Sequence, residues 1–200
     1  NRIMPYRGRI IIDEKDISSM SMRERACTVA VMPQILASPH ITVEELVSFG
    51  RNPYIGIGER FSEKDAIMVE KAMRDVKIYD LKRKHVNCLS GGERQKAFFA
   101  MILAQDTPVI VLDEPTAYMD MEYEGIFLEM LCSIKKERNR TLLVIMHDLT
   151  DAVRYADNIV MLDNGKTVFA GDTHECIENG MIEKVFGIKK YVSCENGEKH

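Results

Sequence analysis

Leu89-Ser90-Gly91-Gly92-Glu93-Arg94-Gln95, followed eighteen residues after Gly92 by Ile110-Val111-Leu112-Asp113-Glu114-Pro115-Thr116, is the stretch on which the fold turns. Small residues at a helix start leave backbone amides uncovered, and the helix dipole adds partial positive charge there. Such an end attracts phosphate. Taken alone, Ser90 to Gly92 read equally as a flexible turn with a serine cap. The second segment decides the matter. A β-rich run bounded by Pro108 and Asp113 has the character of a parallel strand covered on both faces. It ends in two acids at the sheet's C-terminal edge, where α/β proteins bind ligands. Neighbouring like charges are costly unless a cation neutralises them, and one acid holding Mg²⁺ while the next polarises water is a coherent division of labour.

Working outward, Gly91 to Gln105 reads as a helix apolar on several sides and therefore well buried. Met121 to Arg138 reads as a helix with Ile126, Phe127, Met130, Leu131 and Ile134 on one face. Thr141 to Met146 reads as a second buried strand, and Asp148 to Ala156 as a helix. Toward the start, Ile10-Ile11-Ile12 and Thr28 to Met32 are strand candidates, the latter stopped by Pro33. Thr42-Val43-Glu44-Glu45 fits a capping box opening a helix that ends at Gly50. Ser62 opens another, with Ile67, Val69, Ala72, Met73 and Val76 at helical spacing. Asn164-Gly165 between two short runs is a strong hairpin signal. Helix and strand alternate as in an α/β protein with a parallel sheet.

The composition agrees with a folded domain. Apolar residues make up 46% and charged residues 29%, with a net charge of -4. That balance argues against a nucleic-acid partner. No apolar run approaches the ~20 residues of a membrane span. Asn1 to Arg9 carries three arginines and no apolar stretch, unlike a signal peptide. Cys27, Cys88, Cys132, Cys176 and Cys194 form no C-x-x-C pair, which fits reduced thiols in the cytosol better than a metal site.

In these residues the chain resembles the ABC ATPases. Leu89 to Glu93 resembles their signature motif, Val109 to Glu114 their Walker B strand and catalytic glutamate, and Met119-Asp120 the end of their D-loop. His147, directly after Leu142 to Met146, matches the switch histidine, and Met32-Pro33-Gln34 the Q-loop. The motifs occur in the family's order across essentially all 200 residues. The D-loop departs slightly, reading Ala117-Tyr118-Met119-Asp120 where serine or threonine and then leucine are more usual.

The resemblance implies one ABC ATPase domain over 1–200, with a parallel-sheet core at 1–34 and 88–200 and an inserted helical subdomain at 35–87. It implies ATP and Mg²⁺ as cofactors. Asp113 would position the metal, Gln34 would reach metal and water, Glu114 would polarise the attacking water, and His147 would contact the γ-phosphate. Ser90, Gly91 and Gly92, with Glu93 and Asp120, would meet the nucleotide held by a second copy in a head-to-tail dimer.

Thr42 to Val47 followed by Phe49-Gly50-Arg51-Asn52-Pro53-Tyr54 resembles the ATPases of iron-siderophore, haem and cobalamin importers. This implies permease subunits docking near Ile41–Tyr54 and a cytoplasmic location against the inner face of the cell membrane. A charge at Val47 or Tyr54 is then expected to uncouple transport.

A phosphate-gripping loop requires G-x-x-x-x-G-K-[ST]. The only Gly-Lys-Thr is Gly165-Lys166-Thr167, and five residues before Gly165 stands Val160. In the family that loop, the Walker A motif, precedes a segment resembling Met4 to Ile12. The expectation is therefore a cassette lacking this loop at its N-terminus, as a fragment, through a misplaced start or as a genuine truncation, and inactive by itself. The alternatives are a non-catalytic interaction or regulatory module and a soluble ATPase acting on ribosomes or DNA.

Overall fold

The computed structural model describes residues 8–187 except 57, 118 and 120, together with the backbone of 194, 195, 198 and 199; the side chains of 121, 122 and 138 lie outside that description. The chain divides into two compact units, Asn1–Met146 and His147–His200.

In the first unit, Ile11–Ile12 (β1) and Lys15–Asp16 (β2) form an antiparallel hairpin through Asp13 and Glu14, both at positive φ. Ser21 then caps Met22–Thr28 (α1), a helix that the sequence reading passes over. Its signal is the Ser21–Glu24 capping box; the helix buries no residue, so no apolar stripe marks it. Val29–Met32 (β3) follows and stops at Pro33.

Thr42 caps Val43–Ser48 (α2), which tightens into a 3₁₀ turn over Phe49–Tyr54 instead of ending at Gly50. Ser62 caps Glu63–Asp75 (α3), and Ser90 caps Gly91–Gln105 (α4). The three helices pack together, burying Val43, Leu46 and Val47 of α2, Val69, Ala72 and Met73 of α3, and Phe99 and Leu103 of α4. Ile67, placed on this face by its spacing, is exposed instead. Arg51 and Asp65 form a buried ion pair at 2.9 Å, and the Arg51 guanidinium also donates to the Ala104 carbonyl at 2.8 Å. Gly50 lies so close to α4 that a Cβ would stand 2.3 Å from the Met101 carbonyl oxygen. Gly50→Ala is therefore expected to destabilise the protein by about 1–3 kcal/mol through overpacking, seen as a lower urea midpoint with an unchanged slope.

Val109–Asp113 (β4) is the central strand, followed by Met121–Arg138 (α5) and Thr141–Ile145 (β5). The sheet is parallel, in the order β3-β4-β5. Ala30, Met32, Ile110 and Leu112 are buried on one face. On α5 the buried positions are Phe127, Leu128, Leu131 and Ile134, with Phe127 edge-on to Phe99 at 5.2 Å; Ile126 is exposed. On the other face Val31, Leu143 (56% exposed) and Ile145 (47%) are exposed. β5 is thus not buried on both faces as its apolar run suggested. It lies at the edge of three strands, and sequence composition does not record which face is covered.

In the second unit, Asp148 caps Leu149–Tyr155 (α6). Asn158–Asp163 (β6) and Lys166–Asp172 (β7) form a hairpin whose turn residues Asn164 and Gly165 both have positive φ. Thr173–Glu178 (α7) and Met181–Phe186 (α8) follow, with a two-residue pair at Cys194–Glu195 (β8) and Glu198–Lys199 (β9). Ile159, Met161, Cys176 and Ile182 form this unit's core. Gly165-Lys166-Thr167 is the turn and return strand of that hairpin, not a phosphate loop. No helix among the described residues is long and apolar enough to cross a membrane.

Candidate functional site

The register of the sheet assembles the first part of the site. Met32 pairs with Leu112 across β3 and β4, so Gln34 and Glu114 each stand two residues past a matched position. Their side chains meet, the Gln34 amide donating to the Glu114 carboxylate. Asp113 pairs with Ile145 of β5 and is half-buried. The Glu114 amide donates to the Ile145 carbonyl at 3.1 Å, and the residue sits at φ 48, in the left-handed region. A non-glycine residue held there signals local strain, which collects at functional positions. The turn that follows is closed by the Ala117 amide on the Glu114 carbonyl at 3.2 Å.

The second part is the start of α4. The Ser90 hydroxyl accepts from the Glu93 amide at 3.2 Å, and the Ser90 amide donates to the Glu93 carboxylate at 2.8 Å. This capping box leaves the first-turn amides of Gly91 and Gly92 at a half-open helix end, and a side chain at Gly92 would meet nothing within 4 Å. Ser90 itself is exposed while Leu89 anchors the turn in the interior.

Two cations near this motif escaped the sequence reading. Lys84 reaches the Glu93 carboxylate at 3.3 Å, and the Arg94 guanidinium donates to the Ser38 hydroxyl at 3.1 Å. Glu93 accepts first from the Ser90 amide and then feels Lys84, and both hold its carboxyl below the usual carboxylate range. A run of backbone bonds lies beside them. Val86 donates to Ile41 at 2.9 Å, Val43 to Lys84 at 3.0 Å and Glu44 to Lys82 at 3.0 Å. The chain leaving Gln34 is thus laced to the chain entering the signature. The sequence signal was only the proximity of Lys84 to Leu89, since pairing across nine residues depends on the loop's path.

His147 is the first residue of the second unit, two positions past the end of β5. Asp120 lies outside the described residues. Within the segment Ile41–Tyr54 the structure corrects the sequence reading. Val47 is fully buried in the helical core, and Tyr54 is half-buried, with Arg51 over its ring at 4.1 Å and its hydroxyl on the Asp106 carbonyl. Burial pushes the Tyr54 phenol above its ordinary value. Charges at either position would disturb packing, so neither tests docking. Phe49, half exposed, is the apolar side chain this segment presents outward.

Comparison with known proteins gives this geometry a lineage. Residues 1–117 match the family model described as ABC transporter. The petrobactin import ATP-binding protein FpuD of Bacillus anthracis is 37% identical over 194 residues, which are 96% of this chain and 71% of that protein. The ferric enterobactin transport ATP-binding protein FepC of Escherichia coli K12 is 36% identical over 191 residues, 94% of this chain and 70% of that one. Among solved structures, the dimeric cassette MJ0796 in a post-hydrolysis state with ADP and Pi superposes with a TM-score of 0.71 at 22% identity, over 84% of this chain and 75% of that chain. The chain belongs to the ABC transporter family, as an α/β ATPase domain whose relatives include ATP-binding proteins of siderophore import.

Proposed function

We propose that the chain powers uptake of iron–siderophore complexes, hydrolysing Mg²⁺-ATP while bound at the inner face of the membrane to permease subunits. The observation that carries this reading is the Gln34–Glu114 hydrogen bond, which joins the ends of two parallel strands at one point. Asp113 would hold Mg²⁺, Glu114 would polarise the attacking water, and Gln34 would reach metal and water. Residues 1–34 and 88–200 would form the nucleotide core, with 35–87 as its helical insert. His147 would read the γ-phosphate. Ser90, Gly91 and Gly92, with Glu93 and Asp120, would close on the nucleotide of a second copy in a head-to-tail dimer; MJ0796, a cassette of the same fold, is dimeric with ADP and Pi bound. By themselves these 200 residues, which hold no G-x-x-x-x-G-K-[ST], would not turn over ATP.

Cargo assignment rests on the siderophore-import names of the relatives. Docking rests on Phe49, the exposed apolar side chain at the C-terminal end of α2. Phe49→Glu in a complete transporter is expected to lower ferric-siderophore uptake by proteoliposomes at least about tenfold, the usual cost of a charge forced into an apolar contact. Nucleotide binding and thermal stability of the subunit should stay near wild type. Unchanged uptake would remove this surface from the interface, and stimulation of ATPase by another cargo class would overturn the siderophore assignment.

A further inference from the structure

We propose that Lys84 is a positioning residue for the phosphate-binding end of α4, where it holds and offsets the charge of Glu93 so that an acidic side chain can stand beside an arriving triphosphate. The inference rests on the role proposed for Ser90 to Gly92. Glu93 serves the fold by capping, its carboxylate one turn into α4 and bonded to the Ser90 amide. A carboxylate there complements the helix dipole. Toward a ligand that is itself an anion it has the wrong sign. Lys84 meets the same carboxylate oxygen that takes the Ser90 amide, at 3.3 Å. The lysine is placed from both sides of its backbone. Its amide donates to the Leu81 carbonyl at 2.8 Å, and its carbonyl accepts from Val43 at the first turn of α2.

The pair is 40% and 33% exposed, so as a contributor to stability it is worth little. Its loss should therefore appear in nucleotide handling and leave the fold alone. At a separation of one helical turn and a water-like dielectric, one uncompensated charge is worth roughly a 3- to 10-fold change in anion affinity. Salt shortens its reach.

The test uses the complete subunit, phosphate loop included, and compares wild type with Lys84→Met, Lys84→Arg, Glu93→Gln and the Lys84→Met/Glu93→Gln double variant. KM for ATP, kcat and Tm are measured at low and physiological salt. Lys84→Met should raise KM roughly 3- to 10-fold with kcat changed by less than about twofold, and the defect should shrink as salt rises. Lys84→Arg should restore the wild-type KM. The double variant carries no net charge at the site, so Glu93→Gln should bring the KM of Lys84→Met back to within about twofold of wild type. An unchanged KM in Lys84→Met, a double variant as defective as Lys84→Met, or a lowered Tm accounting for the loss would overturn the proposal. Gly91→Asp separates it from the reading beneath: if that variant hydrolyses ATP normally, the signature's role fails, whereas its inactivity with a silent Lys84→Met sinks the Lys84 proposal alone.

Discussion

Glu114→Gln, in a cassette carrying a phosphate-gripping loop, is expected to lower steady-state ATP turnover by roughly 10²–10⁴-fold, the worth of a positioned acid–base group. The substitution removes a charge and leaves the shape. A glutamine at 114 can still accept from the Gln34 amide, so the junction between β3 and β4 survives. ATP affinity should therefore persist, and in a fluorescent-nucleotide titration the variant should match wild type. Turnover near normal would strip Glu114 of the role proposed for it and leave the strained turn without a purpose.

The largest structural effect is expected at a pair with no part in the chemistry. Asp65→Ala should cost about 3–5 kcal/mol by stranding Arg51, which is buried with its guanidinium shared between Asp65 and the Ala104 carbonyl. Asp65 also closes the Ser62 capping box, accepting from the Ser62 amide at 3.0 Å. The Ser62 hydroxyl foremost, then Arg51 and the Ser62 amide, outweigh burial and bring its carboxyl from 3.8 down to about 2. Because the folded value is the depressed one, the stabilisation is fully present above pH 3.8 and is lost as pH falls toward 2. About 2 kcal/mol should disappear across that window. Urea unfolding in steps from pH 5 to pH 2 measures this, and Asp65→Asn should flatten the decline. If wild type and variant lose stability in parallel, the pair does not titrate as described.

What the sequence carried well was local. The capping box at Thr42 and the helix start at Ser62 each need only four consecutive residues, and both form. The bounds of α4 and α5 and the Asn164-Gly165 turn were legible for the same reason. What failed depended on neighbours remote in the chain. Val47 belongs to the segment that resembles a docking element, yet its own side chain points into the helical core. The apolar run of β5 reads alike whether one face or two are covered. Arg51 stands in the segment that resembles a docking element, yet its charge is taken up inside the fold by Asp65, fourteen residues on and 2.9 Å away. In the site, Gln34 and Glu114 were named from motif order, but their meeting is a product of strand register.

The left-handed backbone at Glu114 has an evolutionary consequence. A residue with a Cβ in that conformation forfeits about 1–2 kcal/mol that glycine would keep. Drift under selection for folding alone therefore runs away from glutamate at position 114, toward glycine or asparagine. Lineages in which transport ceased to matter should lose this side chain early, before the core residues around it. Glutamate at 114 thus stands there at a cost to folding, and the backbone itself gives no reason to keep it.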